Sequence, residues 1–245
     1  MTANPYLDAY LAQLEHERAS EDPFCGPAGA QPSGWCRLAA RRCDDCRGRR
    51  DMVRVWAWGV PNDAALDTIA EHGPIVEIGA GGGYWAKLLR SRGVDVVAYD
   101  PDPVTGPPHL GGAKTGQDMT ERWSNVSHSD VLLGDHGAVA HHSDRTLLLV
   151  WPSYDEPWTD RVLDLYAGDT VIYVGEGAGG CTGTGRMHAL LGEQPYCWHD
   201  GPDDPACDCA ALPEQRFKQV ADVEIPQWWG LHDRLGVYRR LPAVA

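Results

Sequence analysis

The chain has 245 residues, of which 43% are hydrophobic and 23% are charged. This composition supports a buried core and argues against a wholly disordered chain, and the length predicts one main domain with an accessory segment. Subtracting 35 acidic from 21 basic residues gives a formal net charge of -14, which repels phosphates and disfavours a nucleic-acid partner. Without a leader pattern or a long apolar run, we predict a cytoplasmic protein that does not span a membrane.

The first 60 residues predict an accessory segment. Residues 1 to about 20 carry apolar and aromatic side chains at helical spacing after Pro5 and predict a cover helix. Residues 21–50 are rich in Pro, Gly, Cys and Arg without apolar periodicity, so their order would need cross-links, metal or packing onto the core. We therefore divide the chain into this segment, residues 1–60, and a main α/β domain, residues 61–245.

The main domain begins with a predicted β-α-β unit. A helix capped by Asn62 or Asp63 ends at Gly73, and a strand follows at Ile75–Ile78. After a glycine-rich loop, the pattern predicts a helix at Tyr84–Arg92 and a second strand at Val94–Tyr99.

Later apolar runs predict further strands. Three short runs read as parallel strands, and two alternating runs near the end read as a hairpin: Val131–Leu133, Thr146–Trp151, Thr170–Val174, then Lys218–Ile225 and Arg234–Tyr238. A helix is predicted at Trp158–Ala167. The pattern indicates a doubly wound, mostly parallel seven-stranded sheet with an antiparallel C-terminal hairpin.

The loop after the first strand bears on the choice of cofactor. A dinucleotide loop follows the pattern G-x-G-x-x-G, but the third glycine is replaced here by Tyr84. The pattern acid-x-G-x-G-x-G is matched completely by Glu77, Gly79, Gly81 and Gly83. Over roughly residues 62–240 the chain resembles the class I S-adenosylmethionine-dependent methyltransferases.

This resemblance implies an S-adenosylmethionine site. The glycines would let the backbone approach the methionine part of the cofactor, and Glu77 would help to hold its amino group. Asp100, at the end of the second strand, would accept hydrogen bonds from ribose hydroxyls, and Asp135 would accept one from the adenine amino group. The alternative is that Glu77 and Asp100 are ordinary capping, ion-paired or turn residues on a fold that has lost catalysis.

Candidate substrate contacts follow the fourth strand and lie in the final hairpin. The segment Trp151-Pro-Ser-Tyr154 resembles the Asn/Asp-Pro-Pro-Tyr/Phe signature of amino-group methyltransferases, but Trp151 and Ser153 depart from it and leave the nucleophile open. Trp151 and Tyr154 either contact substrate or pack a loop. Trp228 and Trp229 either line a pocket for a flat aromatic substrate or close the core.

No motif identifies a catalytic base. The candidates near predicted strand ends are Glu176, His188, His136 and His232. Glu176 opens a glycine-rich loop that extends to Gly185, and this loop is a candidate lid over the substrate.

The cysteines suggest a metal site. Cys25, Cys36, Cys43 and Cys46 are candidate ligands of one structural Zn²⁺, which would order the segment that lacks a core. A weaker second cluster contains Cys197, His199, Cys207 and Cys209. The alternative is that all of these are free cysteines.

Together these features predict methyl transfer to an O or N nucleophile of a small-molecule acceptor, for example in specialised metabolism. Two alternatives stay open. One is an RNA or protein methyltransferase that uses the Cys/Arg-rich segment for recognition, and the other is a non-catalytic, metal-stabilised interaction protein. The sequence does not indicate an oligomeric state.

Overall fold

A computed structural model describes residues 3–19, 49–103, 126–193, 212–228 and 230–242. Seven strands form one sheet in the order β3-β2-β1-β4-β5-β7-β6. The strands are β1 (Ile75–Ile78), β2 (Val96–Asp100), β3 (Leu132–Leu133), β4 (Thr146–Val150), β5 (Thr170–Gly175), β6 (Phe217–Glu224) and β7 (Arg234–Arg240). The helices are α1 (Pro5–Ala19), α2 (Arg49–Val55), α3 (Asp63–Ala70), α4 (Tyr84–Ser91), α5 (Trp158–Leu165) and α6 (Gly185–Leu190), with a 3-10 helix at His136–His141.

The strand directions confirm the predicted fold class. The first five strands pair in parallel, whereas β7 is antiparallel to both β5 and β6. The order reverses between β1 and β4, which both lie at the centre of the sheet. In open α/β sheets ligands bind outside the carboxyl ends of the strands at this reversal. The loops after β1 and β4 are therefore the expected place for a binding site.

Alternate strand residues fill two separate cores. In β4, Leu148 packs with the layer that contains α3 and α4, while Leu147 and Leu149 pack with α5 and α6 on the other face. Strands buried on both faces need apolar residues at consecutive positions, and this explains why β1, β4 and β5 appear in the sequence as continuous apolar runs.

The described part of the N-terminal segment packs onto the first of these cores. Tyr6 and Tyr10 of α1 and Met52 of α2 belong to the same cluster as α3 and α4. The hydroxyl of Tyr10 donates to the carbonyl of Gln227 at 2.7 Å, so α1 is also bonded to the β6–β7 connection. The domain division at residues 60 and 61 stays a prediction. Within the described residues, no helix is long and apolar enough to cross a membrane.

All seven predicted strands are present, but three helical elements were not predicted. α2 lies at the end of the Cys/Arg-rich stretch, where apolar spacing is weak, and α6 follows the glycine-rich loop. The third is the 3-10 helix. Of the two caps proposed for α3, Asn62 is the one used, because its side-chain oxygen accepts from the amide of Ala65 at 2.9 Å.

A pair of glycine substitutions separates backbone strain from crowding. Gly83 and Gly93 have φ angles of 72° and 82°, but only at Gly83 would a Cβ approach another atom closely, at 2.8 Å from Val131. We expect Gly93→Ala to cost about 1 kcal/mol through strain alone. Gly83→Ala should cost at least about 1 kcal/mol more because a side chain must move.

Urea unfolding of both variants measures this difference. Equal losses of unfolding free energy would contradict the close approach at Gly83.

Candidate functional site

The glycine loop joins β1 to α4 and is bonded to the end of β2. The amides of Gly79 and Ala80 both donate to the carbonyl of Tyr99, at 2.9 and 3.0 Å. Gly79 has a φ of 78°, and a Cβ there would lie 2.9 Å from the ring of Trp158. A side chain at this position would meet both a strained backbone and a packed indole, so the first glycine of the motif is required by local structure.

Asp100 at the end of β2 contacts the same loop. Its Oδ2 accepts from the amide of Gly81 at 2.8 Å, and its Oδ1 accepts from the amide of Asp102 at 2.9 Å. The predicted site residues Gly81 and Asp100 are therefore in direct contact. Each carboxylate oxygen can accept more than one hydrogen bond, so Asp100 retains capacity for a ligand while it fixes the loop.

Glu77 is a carboxylate buried inside the central strand. Glu77 is 2% exposed, and its Oε2 has no hydrogen-bond partner within the described residues. Burial raises the pKa of Glu77 to about 8, and the negative charge of Asp100 adds to this, whereas Arg90 and a backbone bond from Ala86 oppose it. Such a group is costly to bury unless something satisfies it, so the unpartnered oxygen beside the glycine loop indicates a binding position.

Asp135 follows β3 and caps the 3-10 helix. Its Oδ1 accepts from the amide of Gly137 at 2.8 Å, and the rest of the side chain is exposed. Its role toward an adenine amino group stays a prediction.

Trp151, directly after β4, lies at the centre of a polar and aromatic cluster. Its backbone has a φ of 50°, which is uncommon for a residue with a large side chain. Its indole stacks on Trp58 with ring centres 4.7 Å apart, and its Nε1 donates to Oδ1 of Asp233 at 2.8 Å. Backbone strain of this kind occurs preferentially at functional sites.

A cavity of about 630 Å³ opens beside this cluster, at the end of β5. Tyr154, which is 65% exposed, lines one side of it. Glu176 and His232 line the cavity together with residues 177–181 of the glycine-rich loop. The structure thus brings the candidate residues Tyr154, Glu176 and His232 around one space.

Of the two tryptophans predicted to line a pocket or close the core, the structure describes Trp228 only. Trp228 is buried, donates from its Nε1 to the hydroxyl of Tyr6 at 3.2 Å, and packs edge-on against Tyr10. Of the two readings proposed for it, this contact pattern matches closure of the core under α1. Trp229 lies outside the described residues.

Glu176 anchors two loops. Its Oε2 accepts from the amide of Cys181 at 2.8 Å and its Oε1 accepts from the amide of His232 at 2.9 Å. Although burial opposes it, these hydrogen bonds hold the pKa of Glu176 below its usual value. A carboxylate stabilised in this way is a weak proton acceptor, and its geometry fits a structural anchor.

The three histidines are also engaged or distant. In the buried ring of His188, Nδ1 contacts Glu193 at 2.8 Å and Nε2 contacts the carbonyl of Thr182 at 2.9 Å. His136 follows β3 at the far edge of the sheet, 4.0 Å from Asp135. His232 is largely exposed at the cavity, 3.6 Å from Glu176. These histidines and Glu176 do not form one catalytic group.

Sequence reasoning missed Trp58 and Asp233, and it treated Arg49 only as one of the arginines of the Cys/Arg-rich segment, where a local anionic partner was possible. Asp233 is 0% exposed, and its Oδ2 has no hydrogen-bond partner within the part of the chain described. Burial raises the pKa of Asp233 to about 6, while the bond from Trp151 opposes this. In the sequence it looks like an ordinary turn acid before the last strand. The only available signal was its place beside His232.

The proposed zinc ligands Cys25, Cys36, Cys43 and Cys46 lie outside the described residues, as does the second Cys/His cluster. Among the residues that the structure describes, no group of three or more His, Cys, Asp or Glu side chains is arranged to hold a metal ion.

The raised pKa of Glu77 predicts a pH-dependent effect on stability. The folded state favours the protonated carboxyl, so its contribution is fully present below the usual pKa of 4.5 and is lost as pH rises through about 8. Glutamine cannot ionise. We expect Glu77→Gln to become more stable relative to the parent chain between about pH 5 and about pH 9, by on the order of 3 kcal/mol.

Denaturant unfolding across this pH range measures the effect. Glu71→Gln, the same change at an exposed position, is the matched control and should not show the divergence. Parallel stability curves for Glu77→Gln and the parent chain would contradict the assignment.

Comparison with known proteins finds no matching family model and no matching curated protein. Solved structures with a similar fold include 1,6-didemethyltoxoflavin-N1-methyltransferase from Burkholderia thailandensis, with bound 1,6-didemethyltoxoflavin and S-adenosylhomocysteine. It is 17% identical, over 74% of this chain and 78% of that chain, with a TM-score of 0.40.

Magnesium protoporphyrin IX methyltransferase from Synechocystis with bound S-adenosylhomocysteine is 12% identical, over 73% of this chain and 81% of that chain, with a TM-score of 0.39. An rRNA methylase from Streptococcus thermophilus is 17% identical, over 72% of this chain and 94% of that chain, with a TM-score of 0.34. Since identities and TM-scores are low, the fold assignment rests on the strand order and the glycine loop. By its strand order, its antiparallel final hairpin and the loop after β1, this chain has the fold of the class I S-adenosylmethionine-dependent methyltransferases.

Proposed function

We propose that this protein is an enzyme that binds S-adenosylmethionine beyond the carboxyl ends of β1 and β2 and methylates a small acceptor molecule. The observation that carries the proposal is the buried carboxylate of Glu77, whose Oε2 is unpartnered within the described residues beside the glycine loop. It lies at the reversal of strand order, where open α/β sheets bind ligands. When bound, the cofactor supplies an electrophilic methyl group.

Glu77 would take the cationic amino group of the cofactor. Oε2 of Glu77 is buried without a hydrogen bond from the described residues, and the nearby charge of Arg90 offsets only part of the cost of burying the ionised form. An ammonium group would satisfy both needs at once, because it donates hydrogen bonds and carries the opposite charge. The positive φ angles of Gly79, Gly81 and Gly83 support a backbone that a ligand can approach closely.

Asp100 and Asp135 would hold the nucleoside part. Each oxygen of Asp100 accepts one backbone bond and can still accept from a ribose hydroxyl. Asp135 has one oxygen bonded to Gly137 and leaves the other available for the adenine amino group. Asp100 is the last residue of β2, which pairs with β1, and Asp135 follows β3, which pairs with β2. One extended ligand would therefore reach all three carboxyl groups.

A small acceptor is supported by the cavity and by the charge. A volume of about 630 Å³ suits a small molecule, whereas a net charge of -14 opposes a polynucleotide. Tyr154 at the rim of the cavity and Trp151 beside it offer aromatic surfaces to such an acceptor.

Calorimetry tests the cofactor site by measuring whether ligand binding releases the proton of the Glu77 carboxyl group. At pH 7 a carboxyl with a pKa of about 8 is mostly protonated, and a bound ammonium would favour its ionised form. We therefore expect binding of S-adenosylmethionine or S-adenosylhomocysteine to release close to one proton. The measured enthalpy should then differ between phosphate and Tris buffers.

The variants make this test specific. Glu77→Gln should lose the buffer dependence and bind at least about tenfold more weakly, while Glu71→Gln should behave like the parent chain. If neither ligand binds, the proposed function is wrong. If both bind without proton release, the role of Glu77 is wrong.

The zinc site at Cys25, Cys36, Cys43 and Cys46 stays part of the proposal, as an element that orders the N-terminal segment. Elemental analysis of protein purified without chelator should find close to one zinc per chain. Absence of zinc, with every thiol titratable, would favour free cysteines.

A further inference from the structure

Arg49, the first residue of α2, is held against the aromatic pair formed by Trp58 and Trp151. The centre of its guanidinium lies 4.8 Å from the ring centre of Trp58 and 5.4 Å from that of Trp151. The two ring centres are themselves 4.7 Å apart. Both guanidinium–ring distances lie within the range of about 6 Å for a cation–π contact, so the guanidinium contacts both indoles and its orientation is restricted.

One edge of this guanidinium has no hydrogen-bond partner among the residues that the structure describes. Its Nε and one terminal nitrogen, Nη2, are buried without a hydrogen-bond partner in the described ranges. These two nitrogens lie on the same side of the group and can donate two parallel hydrogen bonds to a carboxylate. Native proteins rarely leave buried donors unpaired, and such groups call for an explanation.

Asp233 shows the complementary feature close to Arg49. Its Oδ1 is taken by the indole of Trp151, but its Oδ2 has no partner in the part of the chain that is described. The charges of Asp233 and Arg49 shift each other's pKa. Even so, Oδ2 of Asp233 is not hydrogen-bonded to Nε or Nη2 of Arg49. If the two side chains served only to stabilise the fold, we would expect Oδ2 of Asp233 to accept a hydrogen bond from the guanidinium of Arg49.

We propose that Arg49 and Asp233 bind the methyl acceptor, and that this acceptor is a carboxylic acid with an O–H or N–H group close to its carboxylate. The acid oxygens would accept from Nε and Nη2 of Arg49, and Oδ2 of Asp233 would accept from the O–H or N–H. The inference rests on the proposed function. It names the chemical class of the acceptor and two residues that contact it.

The position of the pair fits transfer from the proposed cofactor site. Trp151 directly follows β4, which pairs with β1, and the glycine loop follows β1. Glu176 and His232 line the cavity and are charge neighbours of Asp233. The acceptor would reach the pair from the cavity after a shift of these side chains, because the unpaired atoms are closed to water.

Asp233 also offers a place for the acceptor's proton. The oxygen or nitrogen of the acceptor loses its proton as it is methylated. This proton would pass to Oδ2 of Asp233, and the side chain of Asp233 would become a neutral carboxyl group. Burial raises the pKa of Asp233 to about 6, near the working pH that suits a general base. Glu176, in contrast, has both oxygens occupied by backbone amides.

Calorimetry with salicylate tests the binding, since this probe carries a hydroxyl next to its carboxylate. In protein saturated with S-adenosylhomocysteine we expect salicylate to bind. Benzoate lacks the hydroxyl, and salicylamide presents one carbonyl oxygen to the two donors of Arg49. Both should therefore bind at least about tenfold more weakly.

Matched variants identify the residues. Arg49→Lys keeps the charge but loses the two-pronged edge, and should weaken salicylate binding at least about tenfold. Arg54→Lys, the same exchange on the same helix, should have no effect. Absence of salicylate binding, or equal affinity in Arg49→Lys and the parent chain, would overturn the inference.

Thermal unfolding without ligand distinguishes a binding pair from a structural pair. The double variant Arg49→Met with Asp233→Asn removes both incompletely paired charges and keeps an oxygen for Trp151. We expect its melting temperature to equal or exceed that of the parent chain while salicylate binding is lost. A lower melting temperature would show that the pair serves the fold and would overturn the inference.

Binding of S-adenosylhomocysteine distinguishes failure of the acceptor assignment from failure of the proposed function. S-adenosylhomocysteine should bind the double variant as it binds the parent chain. If it binds neither, both the proposed function and the acceptor assignment fail. If it binds and salicylate does not, the acceptor assignment alone fails.

Discussion

A carboxyl group buried in the central strand, that of Glu77, is the constraint on which the rest of this structure depends. Glu77 occupies a position in β1 where every neighbour in the strand is apolar and buried. Arg90 and the backbone of Ala86 offset part of the cost of burial, but Oε2 is left unpartnered among the described residues. We propose that ligand binding at the reversal of the strand order is the reason why the fold tolerates this cost.

The loops around that carboxylate divide the edge of the sheet into two regions. After β1 and β2, backbone amides of the glycine loop donate hydrogen bonds to Tyr99 and Asp100, which ties the loop to the end of β2. After β4 and β5, Trp151 connects the sheet to Asp233 and Trp58 through one hydrogen bond and one stacked ring pair. We propose the first region as the cofactor site and the second as the acceptor site.

The sequence located the glycine loop and the acid that contacts it because this information is local. Glu77, Gly79, Gly81 and Gly83 follow one another along the chain, and Asp100 ends the next strand. A strand, a turn and a helix impose short-range requirements on residue type, such as glycine where φ is positive. The second region was predicted only in part. Trp151 and Tyr154 were identified by their place after a strand, whereas Arg49 was one arginine among several in the Cys/Arg-rich segment and Asp233 carried no local pattern.

By itself, the sequence determined the fold class, the order of the strands along the chain and the glycine loop, because periodicity and turn chemistry act over a few residues. Only the tertiary structure decided that Trp228 packs under α1, that Glu176 anchors two loops, and that Arg49 lies close to Asp233. Arg49 and Asp233 are brought together by helix packing and by the antiparallel return of β7. Their unpaired atoms arise from three-dimensional burial, which no short stretch of sequence encodes.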